Sequence, residues 1–240
     1  MVKIFAHRGY SAVAPENTLA AFKKAIEIGA DGVEFDVQAS RDGVPVVIHD
    51  ESLERSAGRP GLVKDSTLAD LSNLDVGSWF DGSFSAERIP QLSEVLELLR
   101  PSTLFINIEL KTRRFPYPGL VDSAVRIVRE LGLQERVVVS AFNHHTLAAV
   151  KALAPELACA VMLYEQMLEP WAYVAQHGFQ ALHPVEHAVT DTLVAECHAR
   201  GQAVRAWTVD EREPALALMA MGVDGILTNE PEKMLAWRDG

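Results

Sequence analysis

The chain has 240 residues, 48% hydrophobic and 23% charged, with Lys+Arg 22 against Asp+Glu 33 and a formal net charge of −11. That is an ordinary globular composition, large enough to bury a substantial core and close to the length of a single α/β barrel, which commonly runs to about 250 residues. The acidic balance argues against a nucleic-acid backbone or an anionic membrane as the main partner, because both select a basic footprint, and leaves small molecules as the expected ligands.

At the N-terminus Met1-Val2-Lys3-Ile4-Phe5-Ala6 runs straight into His7-Arg8-Gly9, which leaves no room for the apolar segment of a signal peptide. The longest apolar run, nine residues from Ala215 to Val223, falls short of the roughly eighteen that cross a bilayer. Cys159 and Cys197 are the only cysteines, too few for a disulfide framework. The expectation is a cytoplasmic protein with no stable membrane association.

Short β-branched or apolar runs fall near residues 3–7, 33–38, 45–48, 104–110, 136–141, 158–163, 180–183, 203–207 and 225–228. Amphipathic stretches separate most of them. The first, through Leu19, Phe22 and Ile26, follows Pro15-Glu16-Asn17-Thr18, with Asn17 as the expected helix N-cap. Gly29, Gly132, Gly178, Gly201 and Gly222 stand where helix should give way to strand, a position that favours the left-handed conformation. Gly29-Ala30-Asp31-Gly32-Val33-Glu34 also echoes Gly222-Val223-Asp224-Gly225-Ile226-Leu227, as equivalent turns would.

Only Ala39 to Val44 separates the second and third runs, so these form a hairpin rather than a helical crossover. Asp42-Gly43 is a type I′ turn signal, and centring the turn there places Asp36 opposite His49. From about residue 50 to 91 the pattern lapses into a stretch rich in Gly, Ser and Asp, expected to be an insertion over the barrel mouth. A short capped helix should begin near Ser66-Thr67-Leu68-Ala69-Asp70-Leu71, with Trp79 and Phe80 packing the segment down. With the return strand set aside, eight strands alternate with helices across residues 1–240. That is the pattern of a single (β/α)8 TIM barrel, an α/β fold.

Active sites of such barrels lie at the C-terminal ends of the strands. There the sequence offers His7, Arg8, Glu34, Asp36, His49, Glu109 and Lys111. Residues two apart on a strand share a face, so Glu34 and Asp36 point one way and apolar Val33, Phe35 and Val37 the other. The same alternation sets Glu109 apart from Ile108 and Leu110. Three acids converging in a barrel need a cation, and an all-oxygen set selects a hard one, Mg²⁺ or Ca²⁺, with Mn²⁺ also admitted. Two histidines beside such a site suit general acid and base, and Arg8 with Lys111 suits a phosphate. No glycine-rich nucleotide loop is present, and His144, His145, His183 and His187 lack a ligand spacing.

Taken together, several segments make the chain resemble the glycerophosphodiester phosphodiesterase family in its bacterial cytosolic form. They are His7-Arg8-Gly9, Pro15-Glu16-Asn17-Thr18, Gly32-Val33-Glu34-Phe35-Asp36-Val37, Asp42-Gly43-Val44-Pro45-Val46-Val47-Ile48-His49-Asp50, Ile89-Pro90-Gln91-Leu92, Asn107-Ile108-Glu109-Leu110-Lys111, Trp207-Thr208-Val209 and Gly225-Ile226-Leu227-Thr228-Asn229-Glu230-Pro231. The resemblance implies a TIM barrel with a small insertion after His49, and hydrolysis of deacylated phospholipids such as glycerophosphocholine or glycerophosphoethanolamine to sn-glycerol 3-phosphate and an alcohol. It implies one divalent cation on Glu34, Asp36 and Glu109, catalysis by His7 and His49, and substrate binding by Arg8, Lys111 and Trp207. Ser56-Ala57 and Asn229 depart from the family's usual text, at positions expected to lie clear of the metal and acid/base set. A lysophospholipase D or sphingomyelinase D type of enzyme shares the His, Glu, Asp and His arrangement. A non-catalytic binding protein on the same fold is the third reading.

Overall fold

The computed structural model describes residues 1–240. In chain order the first half holds β1 (Lys3–His7), α1 (Leu19–Glu27), β2 (Gly32–Ala39), β3 (Pro45–Val47), α2 (Glu54–Ala57), α3 (Leu68–Leu71), α4 (Leu92–Leu99), β4 (Phe105–Leu110) and α5 (Leu120–Glu130). The second half is a strict alternation of β5 (Val137–Ala141), α6 (His144–Leu153), β6 (Ala158–Leu163), α7 (Pro170–Gln176), β7 (Ala181–Pro184), α8 (Asp191–His198), β8 (Ala203–Ala206), α9 (Arg212–Met221), β9 (Gly225–Thr228) and α10 (Pro231–Asp239). Each strand coincides with one of the apolar runs in the sequence. β1 pairs in parallel with both β2 and β9, which closes the parallel strands into a barrel, the (β/α)8 fold, with β3 added antiparallel to the free end of β2.

The alternation of side chains explains why these strands are buried on both faces. Val33, Phe35, Val37, Ile106, Ile108 and Val139 point outward into one core cluster shared with the helices. The inward residues Val138, Ala160 and Ala181 form a separate small cluster. Gly32 is required where β2 passes Phe5, because a Cβ there would come within 2.5 Å of the Phe5 ring. All of Gly29, Gly132, Gly178, Gly201 and Gly222 adopt positive φ, as their helix-closing positions predict.

The two echoing segments are equivalent turns in detail. Asp31 accepts the Ile4 N–H at 2.7 Å through its carboxylate and donates its own N–H to the Ile4 carbonyl at 3.0 Å. Asp224 does the same with Val204, at 2.7 and 2.8 Å. Each aspartate thus ties the start of its strand to the strand alongside.

The hairpin differs from expectation by one residue. Val37 pairs with Val47, Gln38 with Val46 and Ala39 with Pro45, and the Ile48 N–H donates to the Asp36 carbonyl at 2.9 Å. Asp36 therefore faces Ile48, not His49. A type I′ turn needs positive φ at both central residues, and here only Gly43, at φ +79°, has it. The Gly43 N–H closes the turn on the Ser40 carbonyl at 2.9 Å, and Val44 donates to the Ser40 hydroxyl at 3.0 Å, giving a three-residue loop.

The segment between β3 and α4 has its own apolar cluster of Leu53, Val63, Leu71 and Val76, packed with Val46, Ile48 and Ile89. α3 is closed by a reciprocal capping box of Thr67 and Asp70. Trp79 does not hold the segment down: it is 46% exposed and touches Phe80 edge-on.

Candidate active site

Glu34 and Asp36 project inward from β2, and the pairing of Asp36 with Glu109 brings β4's carboxylate alongside. One ligand oxygen from each of the three lies within 4.8 Å of the others, and the residues are only 1%, 1% and 6% exposed. Lys111 Nζ stands 3.0 Å from Glu109 and 3.4 Å from Asp36, and Arg8 Nε stands 3.5 Å from Asp36. Burial drives Glu34 well above the usual carboxylate range, and the charges of Asp36 and Glu109 push it further. Glu109 is raised for the same reason, with Lys111 opposing. At Asp36 burial also disfavours ionisation, but Lys111 and then Arg8 overcome it and hold the carboxyl below its ordinary value. A buried, all-oxygen, three-carboxylate set fits a hard divalent cation, which would relieve the repulsion that raises Glu34.

β1 delivers His7 and Arg8 to the same rim through a tight turn. Arg8 at φ +58° and Gly9 at φ +78° are consecutive left-handed residues. A Cβ on Gly9 would meet the Ala21 backbone of α1 at 2.7 Å, so only glycine fits. This turn aims the Arg8 N–H at Glu34 Oε2, 3.1 Å away. His7 Nδ1 is 2.8 Å from Asn229 Oδ1, and its Nε2 is 3.8 Å from Glu34. Asn229 in turn donates Nδ2 to Asp210 at 2.7 Å, which turns its amide oxygen toward His7. Asn229, expected to lie clear of the candidate acid/base residues, therefore touches one of them, His7. Burial, then the Arg8 charge, lowers the His7 pKa to about 4.

His49 lies just beyond the end of β3. The strand ladder does not place it; Gln38 does. The buried Gln38 amide lies 3.0 Å from the carbonyls of Ile48 and His49 and 2.8 Å from that of Asp50, with Tyr117 bonded to its oxygen at 2.7 Å. His49 Nδ1 meets Asp50 Oδ1 at 2.6 Å, and Arg55 Nε holds the other Asp50 oxygen at 2.6 Å. Arg55 also grips Glu16 through two bonds of 2.9 and 2.7 Å, and Glu16 accepts from Arg8 at 2.9 Å. One arginine from the inserted segment thus braces both a histidine and the Arg8 guanidinium.

Asn17 is not the helix cap. Thr18 takes that role, accepting from the Ala21 N–H at 3.3 Å, while Asn17 sits at φ +58° and donates to Asp36 at 2.9 Å. The sequence alone does not mark Gln38, Arg55 or Asp210, and it offers Asp50 and Glu16 only within the His49-Asp50 and Pro15-Glu16-Asn17-Thr18 segments, with no role assigned. The available signals were Asp50's adjacency to His49 and the Pro15-Glu16-Asn17-Thr18 quartet before α1. His183 is elsewhere, buried against Arg205 Nη1 at 3.1 Å, and His144 is turned to Tyr173 at 3.1 Å.

Two adjoining cavities of about 550 Å³ each open at this barrel end and share His49, Glu109, Lys111, Phe142 and Tyr164. Trp207, on the rim of one, is held by its indole N–H to the His183 carbonyl at 2.7 Å and packs edge-on against Phe142 and Tyr164.

The sequence profile of the glycerophosphoryl diester phosphodiesterase family matches residues 7–233, nearly the whole chain. The chain belongs to that family. A glycerophosphodiester phosphodiesterase of Caldanaerobacter subterraneus subsp. tengcongensis is 41% identical over 232 residues, covering 97% of this chain and 96% of its relative. One from Bacillus altitudinis is 39% identical over 242 residues, covering 100% and 99%. Among solved structures, an Oleispira antarctica phosphodiesterase in complex with the product sn-glycerol-3-phosphate superposes with a TM-score of 0.92 at 32% identity, covering 99% and 97%. Family membership makes this protein an enzyme, a phosphodiesterase of the glycerophosphodiester class. No helix in it is long and apolar enough to cross a membrane.

Proposed function

We propose that the protein hydrolyses glycerophosphodiesters to sn-glycerol 3-phosphate and an alcohol, using His7 and His49 as its acid/base pair and a divalent cation held by Glu34, Asp36 and Glu109. The observation that carries this reading is the convergence of these five groups, with Arg8 and Lys111, on one barrel mouth in a member of this family. When bound there, the cation supplies Lewis-acid polarisation of the phosphate. Arg8 and Lys111 add fixed positive charge for its non-bridging oxygens.

The neighbours of the two histidines support different roles. Asn229 presents a carbonyl oxygen to His7 Nδ1, so that nitrogen carries the proton and Nε2 keeps its lone pair toward the carboxylate site. His7 then takes a proton from the attacking water as its oxygen bonds to phosphorus. Asp50 presents a carboxylate to His49 Nδ1, so that nitrogen carries a proton and the ring is held in place at the cavity wall. His49 then gives its proton to the leaving alkoxide as the bond to phosphorus breaks. The net change adds one water across that bond.

The test is release of sn-glycerol 3-phosphate from glycerophosphocholine and glycerophosphoethanolamine, with EDTA and after restoring Mg²⁺, Mn²⁺ or Ca²⁺. Release that stops in EDTA and returns with a cation is the expected result. Release indifferent to EDTA overturns the cation's part. Turnover of lysolipid vesicles but not of the soluble diesters would transfer the assignment to a phospholipase D type.

A further inference from the structure

We propose that the cavity beside Lys111 is the pocket for the leaving alcohol, and that Glu51 and Arg113 there select a head group bearing both an ammonium and a carboxylate. This rests on the phosphodiesterase reading above and names the substrate class within it. A phosphodiester has two ester arms, and the barrel mouth has two cavities that meet along His49, Glu109 and Lys111. Phosphate at that shared wall sends one arm into each.

The cavities differ in their remaining charges. In the cavity beside Lys111, the acidic and basic side chains are His49, Glu51, Glu109, Lys111 and Arg113. Lys111 is paired with Glu109 at 3.0 Å and His49 with Asp50 at 2.6 Å. That leaves Glu51 and Arg113, neither of which has a side-chain hydrogen bond or an ion-pair partner. Glycerol carries no charge and has no use for either. The charged arm of the diester therefore belongs in this cavity.

Both residues are supported from behind. The Arg113 guanidinium lies over the Tyr164 ring, 5.3 Å from its centroid, and Tyr164 is stacked on Phe142 at 4.3 Å. Placed over that ring, the guanidinium has its N–H groups free for a carboxylate. The Glu51 backbone is pinned by the Val63 N–H, which donates to its carbonyl at 2.9 Å, so the carboxylate projects from a fixed segment. An ammonium alone in this cavity meets the repulsion of Arg113, and a carboxylate alone meets that of Glu51. A group carrying both charges, as an amino-acid alcohol does, satisfies each.

The experiment compares kcat/KM for glycerophosphoserine, glycerophosphoethanolamine and glycerophosphoglycerol in the wild-type enzyme, Glu51→Gln and Arg113→Gln. Each lost charged contact should cost about tenfold. Wild type should favour the serine diester. Glu51→Gln should lower the serine and ethanolamine diesters and spare the glycerol diester, whereas Arg113→Gln should lower the serine diester and raise the ethanolamine diester. Losses equal across all three substrates, or no loss in either variant, overturn the proposal while leaving the phosphodiesterase reading standing. Failure of the wild type on every diester overturns that reading and this proposal with it.

Discussion

Single side chains at the barrel mouth are tuned by their immediate neighbours, and Glu34 shows the effect most sharply. Its folded pKa is raised by burial and by Asp36 and Glu109. In the window between about 4.3, the unfolded value, and that raised value, the native state binds more protons than the unfolded state, so stability falls as pH rises. The cation-free protein should therefore lose Tm as pH is raised from about 4.5 toward neutrality. Glu34→Gln should flatten that slope, and added cation should raise Tm most near neutral pH. An unchanged slope in the variant would contradict this origin. His7→Ala and His49→Ala should each lower kcat by about 10²-fold or more, the usual scale for general acid/base groups. Steady-state kinetics at saturating cation would check it, and full activity in either would remove that residue from the mechanism. Asn17 shows how a residue's meaning can change with its surroundings. Its residue type and position before α1 suit a cap, yet the chain turns left-handed there and spends the amide on Asp36.

Between elements, the notable feature is the link from the inserted segment to the barrel. Arg55, on α2, joins Asp50 after β3 to Glu16 before α1, and through them His49 to Arg8. The link is polar and partly exposed, so its worth lies in geometry more than stability. Arg55→Ala should lower kcat by about tenfold, since His49, the proposed general acid, would lose its positioning. Thermal shifts should show the cation-dependent rise in Tm retained, because Glu34, Asp36 and Glu109 do not touch Arg55. Loss of that rise would instead mean that Arg55 holds the carboxylate site together. The hairpin teaches the complementary lesson. Asp42-Gly43 is a sound turn signal, but a dipeptide cannot choose between a two-residue and a three-residue loop, and one residue of slip exchanges the faces of the strand. His49 still reaches the site because the ladder ends at Val47 and Gln38 takes over.

Across the whole molecule, the catalytic face and the core are two sides of the same strands. Phe35 lies between Glu34 and Asp36 on β2, points outward at 0% exposure and meets Phe22 of α1 edge-on at 5.4 Å. Phe35→Ala should cost about 3–5 kcal/mol of stability, measured by denaturant unfolding, and a loss under 1 kcal/mol would mean the cavity collapses. Strand positions, helix-closing glycines, the barrel and the three carboxylates were all readable in the chain, because each rests on local periodicity or turn chemistry that neighbouring residues already contain. The polar contacts behind the site were not. Asn229 against His7 and Arg55 against Glu16 join residues far apart in sequence, and Gln38 meets the His49 segment across a hairpin whose register the turn dipeptide does not fix. Closure of the sheet brings β9 beside β1, and the inserted segment folds onto the barrel mouth through its own apolar cluster. Local pattern determined which elements form and which face each presents; only the closed barrel decided which side chains meet across its mouth, since those distances depend on the register of every strand between them.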